Sequence, residues 1–363
     1  MAVYFIVIIL TLIFGYQAQS ADIREGVRID DNGRVHHSSN AKLYFIIISI
    51  LLICVAGLRY DVGADFFGYY DYAKYAKSFL DRLTSLDEPG YSFICKITEL
   101  IYPQGGVAVF LASLITIGLS LSTIFKYTDK LFLSLMLFLF LGFWHGSFNG
   151  VRQFLAASIL FCGYPFLKNG KFLKYLIFVL LAFLFHRSAI VMILPYFVIR
   201  REVNIKNLFI LIIVTAIGFY SSDRFFAISN MVLDKQSSFT NAYATHAINI
   251  LRVFVSIAPL VLFIPPWLGK TDKEHDFYIN ILVMSSSLNI MTMNSALLNR
   301  IYIYTILLQA MAIPKLLDVF MDKTKRTIVI CMLILYGIFW LYELWNSTSL
   351  NNFMWIWQQG GQG

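Results

Sequence analysis

The sequence predicts an all-α protein, a bundle of about twelve helices that cross a membrane. Three observations predict it. Of 363 residues, 58% are hydrophobic and 14% charged, against about 25% charged in a soluble domain. The mean hydropathy is +0.69. The apolar residues fall in long unbroken runs, not in the short alternating segments of a membrane β-barrel. A soluble fold of this length has no interior for so much apolar surface. A bilayer accepts it, provided that each helix satisfies its own backbone.

A span needs about twenty mainly apolar residues. On that scale helices are predicted near 2–19, 41–57, 105–125, 131–146, 150–167, 172–186, 187–199, 207–222, 251–268, 277–295, 299–317 and 327–345. The shortest, such as 187–199, leave the count between about ten and thirteen. The first run ends in Ala18-Gln19-Ser20, which resembles a cleavage site. No basic residues precede the run, so an uncleaved helix is predicted. Residues 1–363 read as one polytopic membrane domain without internal repeats. Two long loops, 58–104 and 223–250, and a disordered tail over 352–363 complete it.

Lysine and arginine orient such a bundle. With the N-terminus outside, one face holds 18 Lys+Arg and 11 Asp+Glu, the other 11 and 10. The richer face is assigned to the cytoplasm. Of the 11 outer basic residues, seven are arginines: Arg59, Arg82, Arg152, Arg187, Arg224, Arg252 and Arg300. Five of these, all but Arg82 and Arg224, fall at the outer ends of predicted helices. Orientation alone places few cations there. The long loop 58–104 mixes Phe66, Phe67, Tyr69, Tyr70, Tyr72, Tyr75 and Phe79 with Asp71, Lys74, Lys77, Asp81 and Arg82. That mixture suits a helix lying at the membrane interface. Pro89-Gly90 breaks the chain, and 91–102 reads as a further short helix.

Four positions carry candidate chemistry. Arg59 closes an apolar run, and if 61–69 is helical then Asp61, Asp65 and Tyr69 share one face. The plainer alternative is an Arg–Asp pair at a helix end. Asn149, Arg152 and Gln153 lie on one face at the start of a helix. A membrane-embedded arginine usually faces a cavity or a partner, unless it merely snorkels to the interface. Phe185-His186-Arg187-Ser188 interrupts two apolar runs and places His186 and Arg187 at an outer turn. Histidine serves acid–base chemistry near neutral pH, although a lone one is often structural. Arg252 and Arg300 open two later helices, the second with Tyr302 and Tyr304.

Arginine makes bidentate, charge-assisted bonds to phosphate and keeps its charge. Several at one depth point to an anionic ligand, either a lipid-linked phosphate or a transported anion. HExxH, P-loop, GxSxG and Asp-rich motifs are absent. No metal and no cofactor is expected. Cys54, Cys95, Cys162 and Cys331 stand far apart and read as packing residues. The net charge of +8 punctuates apolar helices instead of forming a basic patch, so nucleic acid is not an expected partner.

Together these residues resemble the EpsG family, Wzy-like polymerases of bacterial surface polysaccharide. The resemblance runs through Gly57-Leu58-Arg59 with Gly63-x-Asp65-x-x-x-Tyr69, then Glu88-Pro89-Gly90-Tyr91, Arg152-Gln153-Phe154-Leu155-Ala156 and Phe185-His186-x-Ser188-Ala189. Arg300-x-Tyr302 and Pro314 also fit, while the polar segment 20–40 departs from the pattern.

The resemblance implies a metal-independent membrane glycosyltransferase. It would join undecaprenyl-pyrophosphate-linked oligosaccharides on the outer face of the bacterial cytoplasmic membrane, making O-antigen, capsule or exopolysaccharide. A flippase and a chain-length regulator are conceivable companions, and membrane lipids surround it. His186, Asp65, Arg152 and Arg59 are the expected catalytic residues, with His186 or Asp65 as the base. Arg300, Tyr69, Gln153, Ser188, Arg187, Arg252 and Glu88 are expected to bind substrate. A ligase-like glycosyltransferase and an anionic-glycolipid transporter are the alternatives.

Overall fold

The structure is a computed structural model and describes residues 1–75, 88–101, 105–233, 247–267 and 273–358. The first helices are α1 (Ala2–Glu25), α2 (Ser39–Gly57), α3 (Phe66–Tyr75), α4 (Pro89–Ile101), α5 (Gly105–Tyr127) and α6 (Leu131–Phe140). After them come α7 (Phe143–Gly146), α8 (Val151–Cys162), α9 (Tyr164–Lys168), α10 (Phe172–Phe185), α11 (Ile193–Ile199) and α12 (Ile205–Leu233). The last are α13 (Ile250–Trp267), α14 (Lys273–Met291), α15 (Ala296–Asn299), α16 (Ile303–Leu316) and α17 (Asp322–Asn346). Among the described residues, five segments are long and apolar enough to cross a membrane: Ala2–Glu25, Ser39–Gly57, Gly105–Tyr127, Ala296–Val319 and Asp322–Asn346. Shorter apolar helices lie between them, as in Val151–Cys162 and Phe172–Phe185. The all-α membrane class is therefore as expected.

Helix α1 shows how an apolar run is divided. Tyr4, Val7, Thr11, Gly15 and Ala18 are buried at helical spacing, whereas Phe5, Ile6, Ile9 and Ile13 are exposed. Both faces are apolar. The small Thr11, Gly15 and Ala18 let neighbouring helices approach, while the large apolar Phe5, Ile6, Ile9 and Ile13 turn outward, as lipid on one side allows.

The chain forms two compact units, Met1–Ile190 with Arg326–Gly363, and Val191–Lys325. In the first unit α1 packs on α2, α2 on α5, α5 on α8, and α8 on α10. Helices α3 and α4 both pack on α5, and α4 also meets α10. In the second unit α14 is the centre, packed by α11, α12, α13 and α16. It is buried along most of its length despite Asn280, Ser286 and Asn289. These side chains hydrogen-bond to neighbouring helices, as when Ser286 Oγ donates to the Ser256 carbonyl of α13 at 2.7 Å. Such bonds make a polar helix tolerable in an apolar core.

Several expectations change. The run 131–146 is broken into α6 and α7, and 187–199 opens as a 3-10 helix over Arg187–Met192. Helix α12 continues through 223–233, shortening the second long loop. Segment 20–40 carries a small antiparallel hairpin, β1 (Arg28–Ile29) and β2 (Val35–His36). His37 pins it, with Nδ1 2.6 Å from Asp22 Oδ2 and Nε2 2.7 Å from the Phe125 carbonyl. The tail is ordered through Gln358: β3 (Arg59–Tyr60) pairs with β4 (Met354–Trp355), and Trp355 stacks on Trp357 at 4.8 Å. The Gly/Gln-rich end from which disorder was expected lies almost wholly beyond Gln358, outside the described residues. Lys77, Phe79, Asp81 and Arg82 lie outside the described residues, as do 234–246 and 359–363.

Candidate functional site

The site is built from separate segments of the first unit. Its floor is an apolar cluster of Tyr91, Ile94, Cys95, Ala108, Ala112, Val151 and Leu155, against which Tyr69 and Phe185 pack. The floor therefore joins α3, α4, α5, α8 and the end of α10.

Glu88 enters immediately before α4, in the left-handed backbone region at φ 49°. A non-glycine residue held there is uncommon and strained by about 1–3 kcal/mol, so the surrounding contacts must hold it. Pro89 fixes the first helical position after it. Gly90 then presses on Phe185: a Cβ at Gly90 would lie 2.6 Å from that ring. This close approach brings the start of α4 against the end of α10.

His186 follows Phe185 as the cap of α10, with extended backbone. Its Nδ1 lies 2.5 Å from Glu88 Oε1. The Arg187 amide donates to the same oxygen at 3.1 Å. The other oxygen, Oε2, lies 2.8 Å from Arg152 Nη1 at the start of α8. One carboxylate thus bridges a histidine and an arginine. Burial raises the proton affinity of Glu88, but the His186 hydrogen bond and charge, Arg152 and the Arg187 amide outweigh it and pull its pKa to about 2. An ionised carboxylate only accepts, so His186 Nδ1 carries the proton. When that ring is neutral, its lone pair lies on Nε2.

Arg152 also lies over the Tyr69 ring, 5.8 Å from the centroid, and hydrogen-bonds to Tyr69. Burial pushes the Tyr69 hydroxyl up, partly offset by Arg152. The Arg152 side chain remains 32% exposed. Beside it, Gln153 Nε2 donates to Ser188 Oγ at 3.4 Å. Six expected residues therefore gather here: Glu88, Arg152, Gln153, His186, Ser188 and Tyr69. Arg187 joins through its backbone. Asp65 lies just ahead of α3, where its charge reaches Tyr69. Helix α3 starts only at Phe66, and Asp61 has φ 50°, so Asp61 does not share the predicted helical face.

Arg59 is placed differently from what was expected. Its side chain is 1% exposed. Nε donates to the Val62 carbonyl at 3.1 Å, Nη1 to the Ala56 carbonyl and to Ser113 Oγ at 3.1 Å, and Nη2 to the Phe148 carbonyl at 3.4 Å. The cation sits at the carboxyl end of α2, where unpaired carbonyls concentrate negative potential. Burial lowers its pKa to about 10, which leaves it charged at neutral pH. These contacts tie the guanidinium that was expected to be catalytic to backbone carbonyls and to Ser113, and among the described residues no Arg59–Asp ion pair forms.

In the second unit, Arg252 stands near the start of α13 and Arg300 in the turn before α16. Sequence reasoning missed what links them. Asn289 Nδ2 donates to the Arg252 carbonyl at 3.2 Å, and Asn299 Nδ2 donates to Asn289 Oδ1 at 2.7 Å. The available signal was the polar stretch Ser285-Ser286-Ser287-Leu288-Asn289 inside an otherwise apolar run.

Comparison with curated proteins and with solved structures finds no match. The EpsG family model matches residues 42–357, nearly the whole chain, beginning just after the polar segment that departs from the pattern. The segments that build the Glu88 cluster all fall inside that match, and the chain belongs to the EpsG family.

Proposed function

We propose that the chain is a Wzy-like polymerase that joins oligosaccharide repeat units carried on undecaprenyl pyrophosphate. The observation that carries this reading is the Glu88 carboxylate bridging His186 and Arg152, which sets a base beside an anion-binding group. Family membership supports the polysaccharide class. The twelve predicted runs are read as spans, with the Glu88 cluster at the extracytoplasmic surface of a bacterial cytoplasmic membrane. Flippase and chain-length regulator remain candidate companions.

In this reading the acceptor hydroxyl oxygen attacks the anomeric carbon of the donor. Its proton passes to His186 Nε2. The bond from that carbon to the diphosphate oxygen breaks, and the electron pair leaves with undecaprenyl diphosphate. Arg152 stabilises the charge that develops there, by a dipole and charge arrangement already in place. Tyr69, Gln153 and Ser188 orient the reactants, and holding two lipid-linked substrates together supplies rate through orientation. Arg252 and Arg300 are read as further anion contacts of the second unit. Arg59 is reassigned to the scaffold.

The test is purified protein with a synthetic lipid-pyrophosphate oligosaccharide, resolved on a gel. A ladder of repeat units is expected. A single addition would instead indicate a ligase-like transfer, and no covalent product with movement of the lipid between leaflets would indicate transport.

A further inference from the structure

We propose that Glu88 is a positioning residue that fills the anion site of Arg152 in the empty protein and yields that site to the substrate diphosphate, which strengthens His186 as a base. The inference rests on the glycosyl-transfer reading of the same cluster.

The geometry divides one carboxylate between two tasks. Glu88 Oε1 is held by His186 Nδ1 at 2.5 Å and by the Arg187 amide at 3.1 Å. Oε2 holds Arg152 Nη1 at 2.8 Å. A carboxylate oxygen and a phosphate oxygen make the same kind of charge-assisted bond to a guanidinium. Oε2 therefore occupies the Arg152 donor that a diphosphate oxygen would take.

The two partners differ in freedom. Glu88 is only 8% exposed, sits at φ 49°, and is followed by a proline and by a glycine wedged against Phe185. Arg152 is a long side chain, 32% exposed, reaching in from α8. When a more highly charged diphosphate arrives, Arg152 turns to it and Glu88 stays with His186. Among the described residues, the charged and titratable groups about this cluster are His186, Glu88, Arg152, Arg187, Tyr69, Tyr91, Asp65, and beyond Tyr91 also Cys95 and Arg59. Of these, Arg152 is the one whose charge the ligand compensates. Weakening a cation's hold on Glu88 and adding an anion both favour the protonated imidazole. Nε2 thus becomes the stronger base only once the leaving group is seated. The reaction itself is unchanged: the proton goes to Nε2 and the electron pair to the diphosphate.

Linkage requires that Glu88 oppose binding while it assists turnover. Glu88→Gln in the full-length, detergent-solubilised protein is expected to bind inorganic pyrophosphate roughly fivefold more tightly, since the competing ion pair is gone. Its polymerisation rate should fall about 100-fold, since the charge that holds the His186 proton on Nδ1 is lost. A purely structural glutamate would weaken both. Unchanged or weaker pyrophosphate binding, or an unchanged rate, overturns the proposal. A second measurement uses the wild-type chain: the ¹⁵N shifts of His186, identified by their loss in His186→Asn, followed against pH. Saturating pyrophosphate should move the protonation midpoint up by about one pH unit, and no movement overturns the proposal. The two readings fail separately. Pyrophosphate effects as expected, without any ladder from wild-type protein, sink the polymerase assignment alone. A ladder without pyrophosphate effects sinks the role of Glu88 alone.

Discussion

The Ala64 amide donates to Asn149 Oδ1 at 2.6 Å, across 85 residues of chain. One residue earlier, Gly63 has φ 105° and backs onto the Phe148 carbonyl. These contacts dock the segment after α2 onto the segment before α8. Arg152 stands three residues beyond Asn149, so the docking sets where its guanidinium begins.

Gly63→Ala should therefore disturb the whole cluster. Its φ lies in a region that L side chains rarely adopt, and the added methyl would meet the Phe148 carbonyl oxygen. A loss of about 2 kcal/mol or more is expected. Thermal unfolding in detergent checks it, and a midpoint equal to wild type would show that the docking is dispensable.

Arg59→Met should act on stability, with little effect on substrate affinity. The carbonyls of Val62 and Phe148 lose this donor in a buried place, and that of Ala56 is left with the Ser113 hydroxyl. Leaving such groups unpaired costs about 3 kcal/mol in all. Lower yield and a lower unfolding midpoint are expected, with KM unchanged in the protein that remains folded. A normal midpoint with a raised KM would return Arg59 to the substrate site.

Arg152→Lys keeps the charge and removes the planar fork that meets Glu88 and Tyr69. Turnover should fall about 100-fold, with the amount of membrane protein unchanged. Wild-type polymer length and rate would remove Arg152 from the reaction.

The Glu88 carboxylate, depressed from its ordinary 4.5 to about 2, links folding to acid. A depressed carboxylate adds stability that is complete above its unfolded pKa and disappears as pH falls through its folded one. The stabilising contribution should decline between about pH 4.5 and 2, and Glu88→Gln should remove that part of the pH dependence. Unfolding midpoints of both proteins across this range decide it, and parallel curves would exclude Glu88 as the source.

The runs around 2–19, 41–57 and 105–125 were legible because membrane insertion depends on a local sum, the apolar content of about twenty consecutive residues. His186 and Arg152 were legible because charge at the edge of such a run has a cost that needs a reason. Their shared partner was not legible in its role. Glu88 lies 98 residues from His186, and its role depends on α4 meeting α10, which no local pattern encodes. Arg59 shows the converse. As a sequence feature it matched Arg152, a cation at the edge of an apolar run, and only the positions of the Val62, Ser113 and Phe148 acceptors made it a buried scaffold. The pairing of Met354–Trp355 with Arg59–Tyr60 was not legible for the same reason, since the two strands lie almost 300 residues apart. Sequence alone determined which segments enter a membrane and which side chains are costly there, because both follow from transfer free energies of neighbouring residues. Tertiary structure alone decided which of those side chains share a charge, because hydrogen bonds and ion pairs act over a few ångströms between helices that are distant in the chain.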